Sequence, residues 1–257
     1  MKNKLFFLAS LFMLASFAQD DMLIVQTGNL YGILNSDGVE VVKPKYHSIS
    51  DFGLTKTGWA KVQLNDKYGF INAEGEQIID IKYDKLGEFG EYNKNLLKIT
   101  LLAKSGFIDK SGRIVVEPIY DVIEQFGGIH RDWALVKLNN LFGFIDSTGK
   151  KIIEPIYDTI SEFDLIKKDW AMIELNGKYG FISREGRVVV KPNYASISNF
   201  DEYRKGWAKV SLENNKYGFI NTDGKEVVVP NYDNVERFKK KKGNNIFVKK
   251  EFVVERD

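Results

Sequence analysis

The stretch Trp170-Ala-Met-Ile-Glu-Leu-Asn-Gly-Lys-Tyr-Gly-Phe-Ile-Ser-Arg-Glu-Gly186 decides the fold of this chain. Its first six residues alternate, with Ala171, Ile173 and Leu175 on one side, and a period of two residues is typical of a half-buried β-strand. The Asn-Gly pair predicts a tight hairpin turn into a second strand. The closing Ser-Arg-Glu-Gly fits a type I turn that ends on a residue with positive φ.

This stretch is one copy of a repeat. An aromatic-glycine pair recurs along the chain, and successive glycines are 37 residues apart, or 38 for the last pair. The six positions are Tyr31-Gly32, Tyr68-Gly69, Ser105-Gly106, Phe142-Gly143, Tyr179-Gly180 and Tyr217-Gly218, and only the third lacks the aromatic residue. So regular a period predicts stacked β units that share hydrophobic burial with their neighbours.

Tryptophan and proline keep the same register. The tryptophans are Trp59, Trp133, Trp170 and Trp207, with Met22 and Leu96 at the equivalent positions of the first and third repeats. The prolines are Pro44, Pro118, Pro155, Pro192 and Pro230, with Ile81 as the exception. The apolar run before each proline predicts a third strand that is buried on both faces and stops pairing at the proline. We expect the segment after it to be irregular.

Residues Trp59 to Gly75, which read Trp-Ala-x-Val-x-Leu-Asn-x-Lys-Tyr-Gly-Phe-Ile-Asn-x-x-Gly, closely resemble the WG-repeat family of bacterial proteins, also called KWG repeats. With their copies, the resemblance covers nearly all of residues 22–238. It departs at Met22 and Leu96, and where Leu101-Leu-Ala-Lys-Ser105 replaces the Asn-x-Lys-Tyr turn. The resemblance implies structural or interaction modules without an assigned reaction.

We therefore predict an all-β chain, a tandem array of six antiparallel β-hairpin repeats. They cover about 22–58, 59–95, 96–132, 133–169, 170–206 and 207–238. An open, solenoid-like stack and a closed β-propeller both fit such repeats. We favour the open stack, because residues 239–257 add a basic turn and two charged strands, Ile246–Lys249 and Phe252–Glu255, that could cap a last hydrophobic face.

The first residues are typical of a secretory signal peptide. Lys2 and Lys4 precede an uncharged apolar run, and Ser16-Phe17-Ala18 offers small residues for cleavage before Gln19. A run of about 13 residues is too short to cross a bilayer, so residues 1–18 are predicted to be removed, and we expect no membrane span in the mature chain. The protein is expected in the periplasm, on the cell surface or secreted.

Charge and cysteine content restrict the partners and the chemistry. The chain holds 37 basic and 35 acidic residues, and removal of residues 1–18 leaves 35 of each. A neutral mature protein has no global attraction for nucleic acid. Cysteine is absent, which excludes disulfides and thiolate chemistry.

No residue pattern predicts a catalytic site, a cofactor or a metal. His47 and His130 occupy different repeat positions and have no serine-acid partner at motif spacing. Four acids follow an aromatic residue in every case: Asp84, Asp121, Asp158 and Asp233. A residue used once per repeat fits a backbone hydrogen bond at a strand end better than catalysis, which needs one asymmetric constellation. The Asx-x-x-Gly turns lack the ligand spacing of calcium loops.

The tryptophan column has two interpretations, a buried ladder between units or an exposed strip that stacks sugars, and we predict the ladder. A second column is the loop before each tryptophan, which has constant length, varied sequence and at least one base. The candidate ligand rim comprises Lys56, Lys94, Arg131, Lys167, Lys168, Arg204 and Lys205. It could bind a protein or an anionic polysaccharide, or it could be a solvated rim that keeps strand edges from aggregating.

Together these features predict an exported, non-catalytic scaffold or recognition array that binds a protein or glycan partner. The alternative is an envelope-associated glycan-processing enzyme that takes acidic residues from several repeats. Such an enzyme needs two unlike carboxylates in one cleft, and the sequence has no out-of-register acidic cluster.

Overall fold

The computed structural model describes residues 22–237 apart from Ile129 and Arg131. The chain divides into two compact units. One holds residues up to Phe126 together with Ser147–Gly149, and the other holds Gly127–Asp146 and the residues from Lys150 onward. All regular structure in the described residues is β-strand, so none of it is a helix that could span a membrane. The predicted all-β fold of six antiparallel repeats is confirmed.

Within residues 22–237, twelve strands belong to the first unit and eleven to the second. The first twelve are β1 (Leu23–Thr27), β2 (Leu30–Leu34), β3 (Glu40–Tyr46), β4 (Ser48–Ile49), β5 (Ala60–Leu64), β6 (Lys67–Ile71), β7 (Gln77–Tyr83), β8 (Lys85–Leu86), β9 (Leu96–Leu101), β10 (Lys104–Asp109), β11 (Ile114–Tyr120) and β12 (Val122–Ile123). The others are β13 (Trp133–Leu138), β14 (Leu141–Asp146), β15 (Lys151–Tyr157), β16 (Thr159–Phe163), β17 (Trp170–Leu175), β18 (Lys178–Ser183), β19 (Val188–Tyr194), β20 (Ser196–Phe200), β21 (Trp207–Ser211), β22 (Tyr217–Asn221) and β23 (Glu226–Tyr232).

Four strand types recur along the chain, and we name them linking, Trp, Gly and Pro strands. In the second sheet they are β4, β5, β6 and β7, hydrogen-bonded in that order. The same order recurs in β8 to β11, β16 to β19 and β20 to β23, whereas the first sheet contains only β1, β2 and β3. Each sheet with a linking strand therefore takes one strand from the preceding repeat.

The linking strand corrects the expectation of irregular chain after the proline. In β4, Ile49 lies opposite Val62 of the next Trp strand. The His47 and Ser50 N–H groups donate to carbonyls of that strand at 2.8 and 2.9 Å. Because buried backbone groups need partners, this short segment is more stable as a fourth strand than as a loop.

The Pro strand corrects two further predictions. It is buried on one face only, since Val190 is 4% exposed and Val188 is 47% exposed. Its pairing also continues beyond the proline. Three residues, Lys191-Pro-Asn193, oppose the single Gly180, and pairing resumes at Tyr194. This bulge accommodates a residue that has no N–H to donate.

The bulge explains the glycine of each aromatic-glycine pair. A Cβ built on Gly180 would lie 2.3 Å from the Val190 carbonyl oxygen, closer than real Cβ atoms approach. The same test gives 2.4 Å for Gly32, Gly106 and Gly218 and 2.5 Å for Gly69 and Gly143. Glycine is required there because the backbones of the Gly and Pro strands touch, and not because φ is unusual.

Within each unit, successive sheets bury the tryptophan face of one sheet against the opposite face of the next. In the second unit one such cluster joins Trp170, Phe181 and Tyr194 to Ala208, Val210 and Ile220. In the first unit the equivalent cluster joins Trp59, Phe70 and Tyr83 to Leu97, Ile99 and Ile108. Hydrophobic burial is thus divided among several interfaces between repeats.

The hairpin turns differ in the first repeat, where Gly28 alone has positive φ, and in the sixth. Leu102 and Ala103 form the third turn with φ of 50° and 61°, the same positive values that Asn65 and Asp66 adopt in the second. The departure from the family turn therefore leaves the backbone unchanged. The sixth hairpin is longer, and only Asn215 in it has positive φ, which accounts for the interval of 38 residues.

Three predictions lie outside the described residues. These are the signal peptide at residues 1–18, the basic turn from Lys239 onward and the capping strands at Ile246–Lys249 and Phe252–Glu255. The repeat boundaries and the choice of an open stack over a closed propeller stay predictions.

Candidate partner-binding rim

The rim consists of the five loops before the Trp strands, residues 53–58, 90–95, 127–132, 164–169 and 201–206. In the first loop the Gly53 N–H donates to the Trp59 carbonyl at 3.0 Å, and the Trp59 N–H donates to the Lys56 carbonyl at 2.9 Å. Both bonds recur at the other three tryptophans. The first loop residue has positive φ, which glycine or aspartate supplies, as in Asp164 at 70°. One backbone frame therefore carries varied side chains.

The third residue before each tryptophan covers its indole. The Lys56 and Lys167 ammonium groups lie 4.0 and 5.4 Å from the ring centroids of their tryptophans, and the Arg204 guanidinium lies 4.4 Å from that of Trp207. The imidazole of His130 takes this place in the third loop, 4.2 Å from the Trp133 ring. These cations are partly committed to cation–π contacts inside the protein.

The position two residues before Leu96, Trp170 and Trp207 carries the exposed lysines Lys94, Lys168 and Lys205, for which no ring contact of this kind is found in the described structure. No ion pair involves them within the part of the chain that the structure describes. Arg131 holds the same position in the third loop and lies outside the described residues. The seven predicted rim residues thus form two classes. The two classes can be distinguished in the sequence, because they lie three and two residues before the tryptophan or its equivalent Leu96.

The rim is not basic overall, which weakens its use as a polyanion surface. Six acids lie in the same loops as the seven bases: Glu91, Asp132, Asp164, Asp169, Asp201 and Glu202. Asp164 stabilises its own loop, because its carboxylate accepts the Asp169 N–H at 2.5 Å and pairs with Arg184. These two donors hold the pKa of the Asp164 carboxyl below its usual range.

Two rim loops also present an exposed leucine. Leu54 and Leu165 each stand five residues before a tryptophan and are 71% and 65% exposed. Equivalent positions in other loops carry Glu91, Gly128 and Glu202. The sequence reasoning followed the charges and missed these apolar tips.

Three of the four tryptophans lie buried in the cores, and Trp207 is half-buried. Trp59, Trp133 and Trp170 are 6%, 7% and 9% exposed. Each is also 5.3–5.5 Å from a phenylalanine ring of its Gly strand. Their faces are therefore not available to stack a sugar ring.

The repeated acids cap hairpin turns. The Asp158 carboxylate accepts the Asn176 N–H at 2.6 Å, and Asp84 accepts the Leu102 N–H at 2.5 Å. Lys67 also pairs with Asp84 and, with that N–H, holds the pKa of its carboxyl below the usual range. His47 replaces the acid in the first repeat, where its Nδ1 accepts the Asn65 N–H at 3.3 Å. Among the described residues no group of three potential metal ligands occurs.

The sequence profile of the WG-containing repeat matches residues 31–68, 68–94, 106–142, 142–179, 179–217 and 217–251. The chain belongs to the WG-repeat family. Residues 95–105, which contain the altered third turn, fall between two matches. No curated protein matches the chain.

Solved structures show only faint likenesses. A eukaryotic initiation factor matches at 9% identity over 80% of this chain and 61% of its own, with a TM-score of 0.31. Kluyveromyces lactis Hsv2 matches at 11% identity over 79% and 72%, with a TM-score of 0.25. PorZ, a surface component of the type-IX secretion system of Porphyromonas gingivalis, matches at 10% identity over 80% and 30%, with a TM-score of 0.27. The chain spans less than two thirds of the first and third of these, and likenesses this weak support no statement about shape or function.

Proposed function

We propose that the protein is an exported, non-catalytic recognition array that binds a protein partner through the rim. The observation that carries this proposal is the constant loop frame, which holds exposed lysines two residues and exposed leucines five residues before the tryptophans. Loops fixed by a rigid scaffold and varied in side chain are typical of binding surfaces.

The composition of the rim favours a protein over an anionic polysaccharide. Protein interfaces combine apolar anchors with charges of both signs, and the rim loops of the second unit combine Leu165 with five basic and five acidic residues. A polyanion would be repelled by the six rim acids. Export is proposed from residues 1–18 alone.

A photo-crosslinking residue at Leu165 tests the proposal, with the same residue at Ile156 as a matched control. Ile156 is 45% exposed but lies on a Pro strand. We expect the Leu165 probe to give a discrete adduct with a protein of the cell envelope. Lys168→Glu with Lys205→Glu should abolish it, whereas reversal of the exposed Lys43 and Lys191 should not.

Two results would overturn this function. One is the absence of any adduct, or equal adducts at Leu165 and Ile156. The other is binding of a polyuronate that is lost when Lys168 and Lys205 are reversed, which would assign the rim to glycans instead. Intact mass of the processed protein separately tests cleavage before Gln19.

A further inference from the structure

The third hairpin breaks the repeat at one side chain and gains a groove there. Ser105 stands where the other repeats carry Tyr31, Tyr68, Phe142, Tyr179 and Tyr217. An open groove beside it is lined by Asp84, Lys85, Tyr92, Lys98, Thr100 and Ser105, among others. All of its lining residues belong to the first unit.

The sixth hairpin shows what normally fills this place. Lys209 lies between two tyrosine rings there, with its ammonium 4.8 Å from the centroid of Tyr203 and 5.0 Å from that of Tyr217. It also donates to the Tyr203 hydroxyl at 2.8 Å. The cation is thus held against one ring from the rim loop and one from the Gly strand.

The third hairpin has the same arrangement with one ring missing. The Lys98 ammonium lies 4.4 Å from the Tyr92 ring centroid and donates to the Tyr92 hydroxyl at 3.0 Å. Strand register makes the two sites equivalent. Thr100 faces Ser105, as Ser211 faces Tyr217. Ser105 lines the groove, and its short side chain supplies no counterpart of the Tyr217 ring there.

We propose that this groove binds an aromatic side chain presented by a partner protein. The ring would take the place that the Tyr217 ring has in the sixth hairpin and would stack against Lys98. A cation beside an open ring-sized space favours the negative face of a π-system. Aromatic anchors that enter pockets supply much of the binding energy at protein interfaces.

The charges around the groove favour a neutral ring over an anionic ligand. Asp84 lines it, and its pairing with Lys67 keeps it ionised. Glu91 closes over Gly87, where an added Cβ would lie 2.9 Å from the Glu91 carboxylate oxygen. Two carboxylates therefore offset Lys85 and Lys98, and an anion would gain little net attraction.

The inference rests on the proposed function only in taking the partner to be a protein, and a small probe tests it independently. We would titrate ¹⁵N-labelled residues 19–257 with N-acetyl-tyrosinamide, using N-acetyl-leucinamide as control. We expect saturable shifts at the amides of Thr100, Ala103 and Gly106, with a Kd on the order of 1 mM. The leucine probe should give none.

Matched variants locate the site. Ser105→Tyr restores the usual repeat residue and should weaken probe binding about ten-fold or more, because its ring fills the groove. Tyr217→Ser should open a second site beside Lys209, with new shifts in the sixth hairpin. Lys98→Met keeps the side-chain volume and should weaken binding about three-fold. Thermal melts of each variant check that it folds.

The outcomes are distinguishable from those of the rim experiment. Lys168→Glu with Lys205→Glu should leave probe binding unchanged, so the groove can fail while the rim succeeds, and the reverse. Absence of shifts at the groove amides overturns the inference, as do shifts that persist in a folded Ser105→Tyr protein. Binding of a methyl glucoside in place of the aromatic probe would assign the groove to sugars and would also overturn it.

Discussion

The third and sixth hairpins have the same sheet order and the same bulge, yet they differ at the hairpin turn, at the ring position and in the residue that begins the turn after the Gly strand, which is Asp109 in one and Asn221 in the other. Leu102-Ala103 forms a two-residue turn in one, and a longer loop with Asn215 forms it in the other. The residue before the glycine is Ser105 in the third hairpin and Tyr217 in the sixth. The frame survives all of these differences, because it depends on the glycine, the proline and the buried face. The remaining positions are free to vary and can acquire separate roles.

The largest effect should come from the shared glycine. Gly106→Ala and Gly218→Ala should each destabilise the protein by about 3 kcal/mol, because the new Cβ meets a carbonyl oxygen across the bulge. Urea unfolding measures this. Gly28→Ala is the control for strain without a clash, since Gly28 has φ of 60° and open space, and it should cost only about 1 kcal/mol. Equal losses of unfolding free energy in Gly28→Ala and Gly106→Ala would show that the close approach of the two backbones is not the reason for glycine.

The turns should respond in opposite directions. Replacing Leu102-Ala103 by Asn-Gly should stabilise the protein by about 2 kcal/mol, because both residues have positive φ and Leu102 is 78% exposed. The converse change of Asn176-Gly177 to Leu-Ala should cost a similar amount. Thermal melts compare the two variants. A stabilised Leu-Ala variant in the fifth hairpin would contradict the explanation.

A pH-dependent difference is expected between Asp109 and its counterpart Asn221, which accept the same two backbone N–H bonds after the Gly strand. Burial opposes ionisation of Asp109, but hydrogen bonds from Ser111 and Arg113 outweigh it and lower its pKa to about 2. A lowered pKa stabilises the fold above about pH 4, and the stabilisation is lost as the pH falls towards about 2.

After solvent screening this contribution should be about 1 kcal/mol. Asp109→Asn should remove it from a pH series of urea unfolding curves. Asn221→Asp should add a smaller one, because the carboxylate of Asp223 stands where the third hairpin has the Ser111 hydroxyl. An unchanged pH profile in Asp109→Asn would show that the turn does not depend on the charge.

The smallest effect concerns the two lysines. Lys209 contacts two rings and Lys98 one, so Lys209→Met should cost about 1 kcal/mol and Lys98→Met about 0.5 kcal/mol. Differential scanning calorimetry of both variants ranks them. Lys137→Met provides a reference for a single ring contact without a tyrosine hydroxyl, since the Lys137 ammonium lies 5.4 Å from the Phe142 ring centroid. A larger loss at Lys98 than at Lys209 would contradict the explanation by ring number.

Much of the fold could be predicted from the sequence, because period-two alternation and Asx-Gly turns are local signals. The linking strand could not be predicted, since its hydrogen-bond partners lie in the next repeat, as Ile49 pairs with Val62. The bulge was missed for a similar reason. Proline was taken as the end of pairing, whereas Gly180 across the sheet allows three residues to pass one.

The sequence predicted which loops form the rim but not which side chains those loops expose. Constant loop length identified the loops, and the apolar tips at Leu54 and Leu165 were not considered. A rim cation covers an indole only because the loop turns back, so that a residue three positions before the tryptophan lies over its ring, as Lys56 does over Trp59. Sequence distance indicates that contact only when the loop frame is known.

The sequence by itself determined the repeat, its period, the β class and the position of every tryptophan, glycine and proline, because these follow from local periodicity. Only the tertiary structure decided how the repeats share strands, why the glycine is required and which lysines remain free. These properties depend on contacts between residues in different strands, as when the absence of a ring at Ser105 leaves space beside Lys98.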